Sequence, residues 1–304
     1  MSVALIGYGE VGRILAEDLR ARGVDVTAHD LKIHGASAPA LCEHAAAHGV
    51  ALADSHAQAV AGAELVVSAV TASQTLAVAQ AAAPGLAPGA FFLDFNSASP
   101  GAKARAALVV NAAGGRYVEG AVMTSVPPYR LRVPLLLGGP DAAALEPLLN
   151  ALGFAAKVSS EQLGVASATK MCRSIMIKGL EAMVMESFTT ARHYGVEDAV
   201  IASLQETFPG IDWEKQGAYF FQRVIEHGRR RSEEVREVAQ TVREAGLKPW
   251  SAAGTAERQA WVADLADDGI FGTRGTPGFA RSGDWRVEAD RMLTALGGPP
   301  EGDA

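Results

Sequence analysis

A short apolar run, Val3 to Ile6, breaks into Gly7-Tyr8-Gly9-Glu10-Val11-Gly12, and an amphipathic spacing follows at Val11, Ile14, Leu15 and Leu19. G-x-G-x-x-G between a strand and a helix asks three things of the backbone: a tight turn at the first glycine, close approach of a ligand at the second, and helix-on-strand packing at the third. A helix begun this way turns unpaired N–H groups and the positive end of its dipole towards an anion. The pattern therefore predicts a strand–loop–helix start with a seat for a dinucleotide pyrophosphate, lined by Gly7, Tyr8, Gly9, Glu10, Val11 and Gly12.

The same rhythm continues. Apolar runs at Val24 to Ala28, Leu65 to Val70, Phe91 to Phe95, Tyr117 to Val122 and Val133 to Leu137 alternate with helical stretches, which indicates a parallel sheet with helical crossovers. Nearly continuous apolar strands such as Leu65-Val66-Val67 suit a sheet covered on both faces. After about Val158 the pattern changes: Ser159 and Gln162 fit a capping box, and one long helix is expected from Leu163 to about Tyr194. Further helices are expected at Val200 to Phe208, Trp213 to His227, Ser232 to Ala245, Ala256 to Asp267 and Asp284 to Leu296. The fold class is thus α/β: a Rossmann-type, doubly wound parallel sheet over 1–158, then an all-α domain over 159–304 with 297–304 a flexible tail.

The second apolar run ends at His29-Asp30, where such a fold meets the adenosine ribose. A carboxylate accepts from the 2′-hydroxyl and repels a 2′-phosphate, so Asp30 favours NAD, while the nearby Lys32 leaves NADP as a second cofactor. Val70 and Thr71 end another strand and are expected beside the nicotinamide.

Composition narrows the classes further. With 304 residues, 49% of them hydrophobic, the chain can bury a large core without staples. Its two cysteines form no C-x-x-C pair, which suits a reducing cytoplasm. A formal charge of −7 opposes nucleic-acid binding. No basic leader is read at the start, and no apolar run approaches the roughly 20 residues of a membrane span. His44 and His48 could offer two metal ligands, but no third residue accompanies them at persuasive spacing, so no metal is expected.

The long helix is largely apolar, yet Lys170, Ser174, Lys178 and Glu181 share one stripe. A desolvated lysine loses affinity for its proton, which makes Lys170 the best candidate acid or base. At this point the chain resembles the β-hydroxyacid dehydrogenases, the group of 3-hydroxyisobutyrate, tartronate semialdehyde and 6-phosphogluconate enzymes. Leu5 to Gly12 resembles their cofactor loop, Asp94-Phe95-Asn96-Ser97-Ala98-Ser99-Pro100 their substrate loop, and Gly164 to Lys170 their G-x-G-x-x-x-K segment. The resemblance implies an NAD(P)-dependent oxidation of a β-hydroxyacid, with Lys170 as general acid or base and Asn96, Ser97 and Ser174 in support.

The chain also departs from that pattern. Glu119-Gly120-Ala121-Val122-Met123-Thr124-Ser125 stands where D-A-P-V-S-G-G is usual, so the glycines that seat the substrate carboxylate are missing. Met123, Thr124, Tyr129, Arg130, Arg173, His227 and Arg231 are the candidates to replace them. The strings Val126 to Arg130 and Lys170 to Ser174 resemble a variant branch of phosphogluconate dehydrogenase-like proteins with a less familiar C-terminal domain. An imine reductase, which usually offers aspartate or tyrosine where Lys170 stands, and a cofactor-binding protein without turnover are the competing readings. A homodimer formed through the helical half is expected.

Overall fold

A computed structural model describes residues 1–280 and 282–297; the expected tail beyond Gly297 lies outside the described residues. The chain divides into two compact units, Met1–Cys172 and Arg173–Ala304. The expected boundary at 158 lies ahead of this division, because the first turns of the long helix belong with the sheet.

The first unit runs β1 (Ser2–Ile6), α1 (Glu10–Arg20), β2 (Asp25–His29), α2 (Ala38–His48), β3 (Ala51–Leu52), α3 (His56–Val60), β4 (Leu65–Ser68), α4 (Thr75–Ala82), β5 (Phe91–Asp94), α5 (Pro100–Ala112), β6 (Arg116–Val122), β7 (Pro134–Gly138), α6 (Ala142–Ala151) and β8 (Ala155–Ser160). Its sheet has the order β3-β2-β1-β4-β5-β6-β7-β8. All pairs are parallel except β6 with β7. Successive strand residues face opposite sides. Val3, Leu5, Val67 and Leu93 therefore enter one core layer, and Ala4, Ile6, Val66 and Phe92 the other.

Register sets one line across this sheet. His29 pairs with Ile6, Ile6 with Ser68, Ser68 with Asp94, Asp94 with Glu119, Glu119 with Gly138 and Gly138 with Ser160. For β1, β2, β4 and β5 the line marks their carboxyl ends. On the opposite edge, chain segments enter strands through left-handed glycines such as Gly62 (φ +74) and Gly89 (φ +79), where an added Cβ would meet nothing within 4 Å.

The long helix α7 (Val165–Tyr194) starts after β8 and continues into the second unit, which holds α8 (Glu197–Thr207), α9 (Trp213–Glu244), α10 (Trp250–Asp267) and α11 (Trp285–Ala295). Phe188, Phe221, Val224, Val262, Phe271 and Trp285 form its core. The two helices expected around Gly228 are one: α9 runs unbroken for 32 residues. Gly228 is there to let α10 approach, since a Cβ would lie 2.7 Å from the Gln259 carbonyl oxygen. The expected capping box is also absent. Ser159 and Ser160 end β8, and the start of α7 is held instead by the Glu119 carboxylate.

A lysine is buried beside the line. Lys103 of α5 is 1% exposed; its Nζ donates to the carbonyl oxygens of Asp94 (3.0 Å) and Gly120 (2.7 Å) and stands 3.6 Å from Asp94 Oδ1. The Tyr117 hydroxyl donates to Asp94 Oδ2 at 2.6 Å. Burial, then the Asp94 charge, pushes that phenol well above its ordinary value. Removing one partner of a buried pair leaves a charge uncompensated. Lys103→Met is expected to lower unfolding free energy by about 3–5 kcal/mol in urea titration, and Asp94→Asn added to it should cost much less than Asp94→Asn alone.

Candidate active site

The three glycines of the first loop are required for different reasons. At Gly7 the backbone is left-handed (φ +94), and a Cβ would overlap the Ala69 carbonyl. A Cβ on Gly12 would overlap the Gly7 carbonyl, so helix and turn meet without a side chain between them. Gly9 has ordinary extended backbone (φ −78), and a Cβ there would meet nothing within 4 Å. It is also the N-cap of α1 and makes no side-chain cap. The protein thus leaves open space and uncapped N–H groups at one point, which is what a pyrophosphate would use.

Asp30 ties this loop to β2. Its Oδ2 accepts from the Tyr8 backbone N–H (2.8 Å) and its Oδ1 from that of Lys32 (2.9 Å). The Lys32 side chain is exposed, as is Glu10, while Val11 packs partly on the core. Tyr8 lies in the loop by its backbone alone. Its ring is fully buried, and burial pushes the phenol up to about 12.

From the buried Tyr8 a polar chain runs outward to the surface. The hydroxyl meets His44 Nδ1 at 2.9 Å, His44 Nε2 meets Glu17 Oε1 at 2.9 Å, and Glu17 Oε2 accepts from Arg130 at 2.6 Å. Burial raises the Glu17 carboxyl, but the His44 and Arg130 bonds outweigh it and leave it lowered. Glu17, His44 and His48 bring ligand atoms within 4.8 Å of one another, a third member that sequence spacing did not reveal. Both ring nitrogens of His44 are engaged in this chain, and the His48 ring lies 4.5 Å from the His44 ring, centroid to centroid. Arg130, expected to meet substrate, is turned instead onto α1, where Asp18 also accepts from it at 2.8 Å, and its left-handed backbone (φ 53) is held by those bonds.

The second part of the site follows β5. Lys170 Nζ donates to Ser97 Oγ at 2.5 Å, joining two residues far apart in sequence. Asn96 is 3% exposed, and both ends of its amide are committed within the protein: Oδ1 accepts from Val70 N–H (2.7 Å) and Nδ2 donates to Ser68 Oγ (3.0 Å). The expected substrate contact of Asn96 becomes a tie that holds Val70 at the end of β4. Thr71 and Thr124 are exposed, Met123 is half-buried, and Tyr129 is 52% exposed.

In the second unit Ser174 is buried and Arg173 exposed. Lys178 and Glu181 spend their charges internally. Lys178 donates to Glu234 (2.6 Å), and Arg231, buried, is paired with Glu181. Burial holds the Lys178 ammonium below the ordinary lysine range, against the opposing pull of Glu234. Burial and then Arg223 likewise lower His227.

Comparison with known proteins agrees with this architecture. Residues 2–162 match the family described as NAD binding domain of 6-phosphogluconate dehydrogenase, and residues 191–262 a domain of unknown function, DUF1932. A conserved hypothetical protein from Sinorhizobium meliloti 1021 is 39% identical, with 96% of each chain covered and a TM-score of 0.75. The conserved protein MTH1747, described as structurally similar to 3-hydroxyacid dehydrogenases, is 29% identical over 88% of this chain and 99% of its own, with a TM-score of 0.68. Mycobacterium tuberculosis 3-hydroxyisobutyrate dehydrogenase shares the fold at 18% identity, 96% and 98% coverage and a TM-score of 0.69.

Sheet order and glycine loop define a dinucleotide-binding fold, and the family match makes it an NAD(P)-binding protein of the oxidoreductase class. The chain belongs to the family of the 6-phosphogluconate dehydrogenase NAD-binding domain, among the β-hydroxyacid dehydrogenases, with a helical C-terminal region. Among the described residues no helix is long and apolar enough to cross a membrane.

The open space at Gly9 gives a direct check. Gly9→Val is expected to leave the melting temperature nearly unchanged, because nothing protein-borne stands in the way. NAD affinity by calorimetry should fall by roughly 100-fold or more, about 2.7 kcal/mol.

Proposed function

We propose that the protein is an NAD-preferring dehydrogenase that oxidises the alcohol carbon of a 3-hydroxy carboxylate, with Lys170 as the general acid or base. The observation that carries this reading is the Lys170–Ser97 contact at 2.5 Å, in the same unit as the glycine loop. A bound nicotinamide dinucleotide would supply the hydride chemistry.

The chain's own residues do the rest. Gly9 and the first turn of α1 hold the pyrophosphate, and Asp30, already fixed by two backbone N–H groups, accepts from the ribose. Val70, held by Asn96, borders the nicotinamide together with Thr71. Ser97 holds the substrate hydroxyl beside Lys170. In oxidation the neutral amine takes the hydroxyl proton as the carbon gives up its hydride, and in reduction the ammonium returns it. Ser174, one turn further along α7, supports the lysine. In the first unit the exposed Tyr129, with Met123 and Thr124, remains proposed to seat the carboxylate.

The remaining expectations rest on surface chemistry. α7 exposes Met176 (72%) and Met183 (65%) at helical spacing, which supports a homodimer formed on that face. Cys42 and Cys172 are free and exposed, which suits a reducing cytoplasm.

A screen of 3-hydroxy acids, with imines as the rival substrates, monitored by nicotinamide absorbance, tests the reading. Lys170→Ala is expected to lower turnover by ~10²- to 10⁴-fold with NAD affinity retained. Oxidation needs the neutral amine, so the wild-type rate should climb with pH on a limb that the alanine variant lacks. Turnover per folded molecule unchanged in Lys170→Ala would remove the lysine from the mechanism. Asp30→Ala should lose most of the preference for NAD over NADP, measured as the ratio of kcat/KM values; a wild type that prefers NADP would overturn that assignment.

A further inference from the structure

Glu119 is a carboxylate in the middle of an apolar strand, wholly buried at 0% exposure. A buried carboxylate must find donors or carry a large cost. Its donors all come from the start of α7. Oε1 accepts from the backbone N–H of Gly164 (2.8 Å) and of Ala166 (3.0 Å), and Oε2 accepts from the Ser167 hydroxyl (2.7 Å). The strand opposite is shaped to admit it: Glu119 pairs with Gly138, where any Cβ would overlap the Glu119 carboxylate. The nearby Lys103 ammonium is directed elsewhere, to the Asp94 and Gly120 carbonyls.

These bonds fix more than a helix end. Lys170 follows Ala166 by four residues and Ser167 by three, so it lies one turn further along the same face of α7. Each residue of a helix adds about 1.5 Å of rise and 100° of rotation. Anchoring Gly164, Ala166 and Ser167 therefore fixes both the height and the rotation at which Lys170 leaves the helix. The target is fixed by the same sheet: Asp94 is the register partner of Glu119, and Ser97 lies three residues beyond Asp94.

We infer that Glu119 is the positioning residue of Lys170: by gripping the first turn of α7 it sets the lysine Nζ against Ser97. This rests on the reading of Lys170 as the proton-transfer residue. A carboxylate that served only to favour the helix dipole would act through its charge, whereas a positioning carboxylate acts through its reach. Glu119→Gln keeps the reach and drops the charge, since one amide oxygen can serve both backbone N–H groups while the NH₂ donates to Ser167. Glu119→Asp keeps the charge and is too short to span the same donors.

The test uses the full chain and two readouts. The first is steady-state kinetics on the hydroxyacid found by the screen. The second, independent of activity, is the rate of Lys170 acetylation by acetic anhydride in the folded protein, read by mass spectrometry across pH. Glu119→Asp should lower kcat by about 10- to 100-fold, leave the KM for NAD within about twofold, and alter the Lys170 acetylation profile. Glu119→Gln should stay within about threefold of wild type on all three. Folded Glu119→Asp with wild-type kcat and acetylation would overturn the inference, as would a larger kcat loss in the glutamine variant than in the aspartate one. Should Glu119→Asp fail to fold, Ser167→Ala removes one of the three bonds: a lower kcat with altered acetylation supports the inference, and no change in either overturns it. Lys170→Ala in parallel separates the two levels, since retained turnover there sinks the mechanism itself, whereas lost turnover beside an inert Glu119 sinks only the positioning role.

Discussion

Strand register across one sheet, parallel except between β6 and β7, is the constraint on which this protein depends. A slip of one residue in a strand turns every side chain to the opposite face. Both faces of this sheet are buried, so the register is tightly held. That holding produces the line from His29 through Ile6, Ser68, Asp94 and Glu119 to Gly138 and Ser160. Gly7, Asp30, Val70, Ser97 and Gly164 all follow the line within a few residues. Groups distant in sequence arrive at one edge because their strands end at the same height.

Along that edge, most polar side chains are spent on backbone rather than left for a ligand. Asp94 holds Tyr117 and the Asn96 N–H, Asn96 holds Val70 and Ser68, Asp30 holds Tyr8 and Lys32, and Glu119 holds α7. Each such bond replaces water that the buried backbone cannot reach. The Lys170–Ser97 pair sets an amine against a hydroxyl, two groups between which a proton can move.

Much of this could be read from the sequence, because periodicity and glycine spacing are local signals. The glycine loop, six of the strands and the long helix came from such signals, whereas the role expected of Lys170 came from a resemblance of the Gly164 to Lys170 segment to a known family. What escaped was decided over distance. Arg130 finds Asp18 and Glu17 on α1 more than a hundred residues away, and nothing near Arg130 announces them. The strand β8 escaped because its half-exposed, serine-ended pattern reads as a loop leading into a helix. The break expected in α9 fell between His227 and Ser232, where the helix in fact runs on and Gly228 provides close packing against α10. Glu119 did leave a signal. A single acid inside Tyr117-Val118-Glu119-Gly120-Ala121-Val122 had to be buried, and a buried carboxylate implies donors aimed at it. Taken as a departure from a family string, it hid its own role.

The two edges of the sheet differ in what lengths of chain they can absorb. At the functional edge, inserting one residue between a strand end and Gly7, Val70 or Ser97 would displace a group held by a bond from another element: the His29 carbonyl, the Asn96 amide and the Lys170 ammonium respectively. At the other edge, Gly62 and Gly89 turn the chain in open space, with no side chain or backbone pressing on them. Insertions and deletions between relatives, and any peptide tag or fused module placed inside this unit, should therefore concentrate at those glycine turns, leaving the spacing from strand end to site unchanged.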